Sequence, residues 1–326
     1  MQGCVVAEII KIEDKELKEQ IACNVWEDLP KAMLRLYHKQ KIYYTRRNIM
    51  KNFGLIGLGN MGSMILNQLL QLNLLNEKNV YVANRSKEKL YNFQKQYNSI
   101  NLCSNTEVAK NCENIMLCVE PSNVPNVLLD IEPYLNENSY IMISTATVAY
   151  NDLYKIYRGK ITKFMPTLNS AVREGITLTC HNELVSDEEK NYFEQLMSGM
   201  SEVRVIKEED MNLCHNLTGS LPAIVSELML KFIRAASKHS INMTMEEIEY
   251  MVMVSLAGAS KLFIEKDMKF EDTIKRVSTK GGITYEGIKI YEEKLPDIFN
   301  EAFDTTIRKY DEITNNVSKI IDDLVK

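Results

Sequence analysis

The glycines of "GLIGLGNMG" fall as Gly57-x-Gly59-x-x-Gly62, after an apolar run and at the opening of a helical pattern. That spacing suits a phosphate. Gly57 allows the tight turn, Gly59 lets backbone approach a pyrophosphate, and Gly62 permits close helix–strand packing. Asn60 and Met61 lie between them, where the first N–H groups of a helix point at an anion. The next strand-like run ends in "VYVANRSKEK", with Asn84, Arg85, Ser86 and Lys87 where a dinucleotide site selective for a free ribose would carry Asp or Glu. The permanently charged fork of Arg suits a 2′-phosphate. The expected cofactor is NADPH, with NADH possible.

A second stretch, "RVSTKGGITYEGIK" (276–289), sets two glycines in a helix-rich region. Each costs about 1 kcal/mol relative to Ala inside a helix. Backbone N–H groups at Gly281 and Gly282 could clamp a carboxylate, and Thr284 adds a hydroxyl able to donate or accept. The alternative is a plain helix–turn–helix connection with Thr284 as N-cap. No Ser/His/Asp order or carboxylate pair stands out. His38, His181, His215 and His239 are read as structural, with His215 notable for preceding the break at Gly219–Pro222.

The elements that must position these residues follow from periodicity. From Met50 to about residue 206, apolar runs ("FGLIGL", "NVYVAN", "IMLCVE", "YIMIST", "KITKFM", "GITLTC", "EVRVI") alternate early on with helical patterns. Such alternation predicts a doubly wound, mainly parallel α/β sheet. After residue 207 strand signals cease. Thr244 and Glu247 form a capping box ahead of "MEEIEYMVMVSLAGASKLFIEKD". Pro296 is expected in the first turn of a last long helix with one apolar face. Residues 1–49 read either as an appended, non-native segment or as a helical arm.

With 326 residues, 45% of them hydrophobic, two domains can each bury a core. A formal net charge of −5 provides no footprint for nucleic acid or an anionic membrane. Seven cysteines, odd in number and without metal-ligand spacing, suit a reduced cytoplasmic setting. No stretch reaches membrane-spanning length.

From Met50 onward the chain resembles the pyrroline-5-carboxylate reductase family. "VSTKGGITYEGIK" (277–289) is similar to that family's signature of a hydrophobic residue, two Ser/Thr, a variable residue, Gly-Gly, a variable residue and Thr. "LTGSLPAI" (217–224) resembles its Ser-Gly-Pro-Ala segment, and "MPTLNSAVREG" (165–175) its Met-Pro-Asn-Thr-Pro segment. The resemblance implies a Rossmann domain over 50–206 and an all-helical substrate and dimerisation domain over 207–326. It implies NAD(P)H-dependent reduction of 1-pyrroline-5-carboxylate, or a related cyclic imine acid, to L-proline, in a homodimer or a ring of dimers. By position, Thr284 would bond the ring nitrogen as the catalytic residue. Thr279, Gly281, Gly282 and Ile283 would hold the carboxylate. Gly57, Gly59, Asn60, Met61, Gly62, Asn84, Arg85, Ser86, Val119 and Pro121 would hold the cofactor.

Several positions depart from the family pattern. Lys280 stands for a Pro before the two glycines, Thr167-Leu168-Asn169 for Asn-Thr-Pro, Glu120 for the Lys of Lys-Pro, and Leu221 for the Gly of Ser-Gly-Pro. They resemble a divergent, late-competence ComER-type branch, which implies as an alternative a cofactor-binding protein with a regulatory role or none in catalysis. A third reading, a β-hydroxyacid dehydrogenase, would need a catalytic lysine such as Lys231.

Overall fold

The computed structural model describes residues 51–326, so the two readings of residues 1–49 and the cysteines at 4 and 23 lie outside the described residues. Eight strands form one sheet in the order β3-β2-β1-β4-β5-β6-β7-β8. They are β1 (Phe53–Ile56), β2 (Val80–Ala83), β3 (Asn101–Leu102), β4 (Asn114–Leu117), β5 (Tyr140–Ile143), β6 (Lys160–Pro166), β7 (Gly175–His181) and β8 (Ser201–Val205). All neighbours pair in parallel except β6 and β7, which run antiparallel. The central strands are apolar on both faces because helices cover both.

On one face lie α1 (Asn60–Gln71), α2 (Lys87–Gln96) and α6 (Asp187–Ser198), packing Ile65, Leu69, Phe93 and Phe193 onto Leu55, Met116 and Phe164. On the other lie α3 (Asn105–Asn111), α4 (Val124–Ile131) and the one-turn α5 (Tyr150–Leu153), which share a core with Ile115, Ile141 and Ile161. Val317 and Ile321, near the chain's end, belong to this second core.

Past β8 the described elements are helical: α7 (Met211–Thr218), α8 (Leu221–Ser237), α9 (Met245–Glu265), α10 (Phe270–Val277) and α11 (Ile283–Leu324). The capping box at α9 forms as expected, Thr244 Oγ1 accepting from Glu247 N–H at 3.2 Å and Glu247 Oε2 from Thr244 N–H at 2.8 Å. The break before α8 also forms, with Pro222 in its first turn.

Pro296 is a correction. It lies inside α11, a 42-residue helix that begins at Ile283. Proline costs about 3 kcal/mol in a helix interior. The helix continues because the shielded positions on both sides stay in phase: Ile288 and Leu295 before it, Phe303, Tyr310, Val317 and Ile321 after it.

Across β5, β6 and β7 runs a buried polar chain. Tyr140 Oη and Thr162 Oγ1 lie 2.6 Å apart, and Thr162 Oγ1 lies 2.7 Å from His181 Nδ1. Burial, aided by the nearby Lys190 charge, lowers the His181 pKa from 6.5 to about 4. The unfolded chain therefore binds the proton first. Stability is expected to be full above about pH 6.5, to fall as pH drops toward about 4, and to level off below. A His181→Gln variant should flatten the melting temperature against pH in that window. An unchanged slope would contradict the assignment.

Candidate active site

Three loops meet at the carboxyl ends of β2, β1 and β4, which are adjacent in the sheet. Gly57 N–H donates to Ala83 O at 2.9 Å and Leu58 N–H to Asn84 Oδ1 at 2.9 Å. Asn84 Nδ2 donates to Ser86 O at 3.1 Å, and Ser86 caps α2. Gly57 has φ of +106°, and a Cβ there would lie 2.3 Å from Cys118 O and 2.9 Å from Val119 Cγ1. A Cβ on Gly62 would lie 2.0 Å from Gly57 O. These two glycines allow contacts that no side chain permits. The predicted cofactor set, from Gly57 through Pro121, is thus gathered along one edge, with Arg85 exposed beside it.

The geometry fits a dinucleotide by an independent sign. Gly59, the N-cap of α1, makes no side-chain cap, and no acid occupies the helix's first turn. A Cβ on Gly59 would meet nothing within 4 Å. Open space therefore faces the unpaired N–H groups of a helix start, which is where an anion binds.

The predicted substrate residues lie elsewhere. Thr279, Lys280, Gly281 and Gly282 form the turn between α10 and α11, closed by Gly282 N–H donating to Thr279 O at 2.8 Å. Gly281 has φ of +82°, which requires glycine. Gly282 is the N-cap of α11, so Thr284 is not; its exposed hydroxyl sits in the first helical turn. Because Gly282 N–H is engaged in the turn and the first helical bond is Glu286 N–H to Gly282 O, the first-turn donors without an intrahelical acceptor are those of Ile283, Thr284 and Tyr285. Ile283 is 94% exposed.

This turn stands away from the cofactor edge of its own chain. The other end of α11 is the part held to the sheet: Tyr310 Oη donates to Ala146 O at 2.7 Å, Ser318 Oγ to Asp152 Oδ1 at 3.0 Å, and Lys155 Nζ pairs with Asp322 at 2.8 Å. At about 1.5 Å per residue, Thr284 lies about 39 Å along the helix from Tyr310. Lys231, exposed on α8, pairs with Glu227 at 3.0 Å, as a surface lysine does. His215 has its pKa lowered by burial, and its ring packs against Gly219.

Residues 208–313 match the family model for pyrroline-5-carboxylate reductase dimerisation, and residues 52–147 match one described as NADP oxidoreductase, coenzyme F420-dependent. Pyrroline-5-carboxylate reductase 3 of Bacillus subtilis (strain 168) is 34% identical over 271 residues, covering 83% of this chain and 99% of the relative. The chain belongs to the pyrroline-5-carboxylate reductase family. ComE operon protein 4 of the same organism is similar too, 27% identical over 82% of this chain and 97% of that protein. The solved pyrroline carboxylate reductase of Plasmodium falciparum, with NADP bound, shares the fold at a TM-score of 0.71. It is 23% identical and covers 83% of this chain and 99% of its own. The Rossmann-like sheet followed by helices is thus the architecture of the pyrroline-5-carboxylate reductase family.

Sequence reasoning missed Lys163 and Glu208, an ion pair between a buried lysine and a part-exposed carboxylate at the junction of sheet and helices. A lysine in the middle of the apolar run "KITKFM" was the available signal, since a charge on an inward face needs a partner.

Proposed function

We propose that this chain reduces 1-pyrroline-5-carboxylate, or a related cyclic imine acid, to the saturated amine (L-proline for the first) with NADPH in the cytoplasm. Residues 50–206 hold the cofactor. Residues 207–326 hold the substrate and join a second copy in a homodimer, with rings of dimers as a further assembly. The observation that carries this reading is the Thr279–Thr284 turn, in which Gly281, a helix start and the Thr284 hydroxyl stand exposed, with Gly282 half-buried beside them, on the scaffold of this family.

The turn's N–H groups and the Thr279 hydroxyl hold the carboxylate, with the positive end of α11 favouring its charge. The Thr284 hydroxyl bonds the ring nitrogen and keeps the imine carbon in line. Bound reduced nicotinamide supplies the hydride to that carbon. The ring nitrogen gains a proton from solvent, relayed through the Thr284 hydroxyl, the C=N bond becomes C–N, and the product leaves with its carboxylate still ionised. Gly57, Gly59, Asn60, Met61 and Gly62 cradle the pyrophosphate, while Arg85 with Asn84 and Ser86 meets the 2′-phosphate. Val119 and Pro121 line the end of β4.

The length of α11 supports assembly. One chain separates Thr284 from its own cofactor edge, so the turn works against the edge of a second copy. A groove of about 610 Å³ between α8 and α9, lined by Met229, Phe232, Met243, Met251 and Leu256, offers apolar surface for such a contact.

Oxidation of NADPH on addition of 1-pyrroline-5-carboxylate is the direct test. No turnover by a folded protein that binds NADPH would sink the reading and favour the ComER-like one, a regulatory cofactor-binding protein, to which Lys280 and Glu120 point. Arg85→Ala is expected to weaken NADPH about tenfold while leaving NADH within about twofold. A clear preference of the wild type for NADH in fluorescence titration would defeat the 2′-phosphate assignment.

A further inference from the structure

Besides the contacts of α11, the helices are tied to the sheet where the chain leaves it, by an ion pair that the chemistry above does not use. Lys163, in the middle of β6 and 1% exposed, donates from Nζ to Glu208 Oε1 at 2.6 Å. The same carboxylate oxygen accepts the Tyr150 N–H at 2.9 Å. Lys163 Nζ also lies 5.1 Å from the centre of the Tyr150 ring, whose Oη donates to Cys180 O at 2.7 Å. Ala149 precedes α5 without a side chain to cap it, so Glu208 serves as that cap and ties α5 to β6.

Glu208 opens the single 3-10 turn, Glu208–Asp210, that leads from β8 into α7. It is therefore the first residue of the helical region to be anchored. With the lysine buried and the carboxylate 36% exposed, the pair adds little stability that an apolar contact could not supply. A carboxylate held by two fixed donors does something an apolar contact does not: it sets a direction.

Direction matters because of the length beyond it. Over the roughly 39 Å between Tyr310 and Thr284, a tilt of about 5° moves the hydroxyl by about 3 Å. Misplacing a reacting group by about 1 Å can cost about a hundredfold in rate.

We propose that Lys163 and Glu208 are positioning residues whose ion pair sets the angle of the helical region against the sheet, and so the place where Thr284 meets the reacting centre. This rests on the reductase reading. The experiment therefore has one readout that needs turnover and one that does not. The full chain is prepared as wild type, Lys163→Met and Lys163→Arg, and the Lys163→Met/Glu208→Gln double variant replaces the first if it fails to fold. Kinetics are measured on unlabelled protein. Dyes at exposed positions 88 and 294, in chains diluted into unlabelled protein, report the distance distribution between sheet and helices.

Lys163→Met is expected to bind NADPH within about twofold of wild type and to lose about tenfold or more in kcat with KM little changed. Its distance distribution should broaden, and Lys163→Arg should restore both. An unchanged distribution overturns the proposal whatever the kcat, and so does an unchanged kcat in an active protein. If the wild type turns over no imine, the reductase reading fails by itself, and the distance distribution alone decides the role of the pair.

Discussion

Replacing Thr284 with alanine is expected to lower kcat/KM for 1-pyrroline-5-carboxylate by about 100-fold or more, the scale of losing one oriented donor at a reacting centre. The fold should not notice. Thr284 is exposed, it is not the cap of α11, and Gly282 holds that position without a side-chain bond. A surface change of that kind stays within about 0.5 kcal/mol. NADPH affinity should also hold, because the loops that grip the dinucleotide, at the ends of β1, β2 and β4, include no part of this turn. Steady-state kinetics with a parallel cofactor titration separate these effects. Wild-type turnover by the variant would remove Thr284 from the mechanism, and a Thr284→Ser variant that restores rate would assign the effect to the hydroxyl.

The second large effect divides the glycines of the fingerprint by what a methyl group would meet. In Gly62→Ala the new Cβ would stand 2.0 Å from Gly57 O, a backbone atom that cannot step aside. Overpacking of that kind costs about 1–3 kcal/mol and should show as a lowered melting temperature together with lost cofactor binding. In Gly59→Ala the Cβ meets nothing within 4 Å, and the backbone, with φ of −80°, suits alanine. Stability should change by no more than about 1 kcal/mol. Affinity for NADPH should nonetheless drop about tenfold, because the methyl occupies the approach to the helix N–H groups. A Gly59→Ala protein with wild-type affinity would mean the phosphates bind elsewhere.

The features legible in the sequence were those that local geometry imposes. Gly57 and Gly62 stand where backbone passes within contact of backbone, so their spacing survives as a pattern. Thr244 and Glu247 satisfy each other within one turn. β3 escaped notice because two residues, Asn101 and Leu102, cannot show an alternation. Pro296 misled because a proline normally marks a helix start, while here the phase of distant apolar positions carries the helix through. Lys163 and Glu208 are 45 residues apart, and only the folded sheet brings them together. The separation of Thr284 from the cofactor edge was likewise invisible, since motif order along a chain carries no lengths. Its cause is the unbroken run of α11.

The rim of the sheet has its own bearing on how copies meet. β8 is the outermost strand on one side, and its solvent-facing residues Glu202 and Arg204 pair with each other. Charged side chains along an unpaired strand make it a poor template for another chain, because stacking a second strand there would strip water from both. Two sheets fusing into one continuous ribbon is thus disfavoured at this rim. The helices remain the route by which copies can associate without turning a folded enzyme into a seed for fibres.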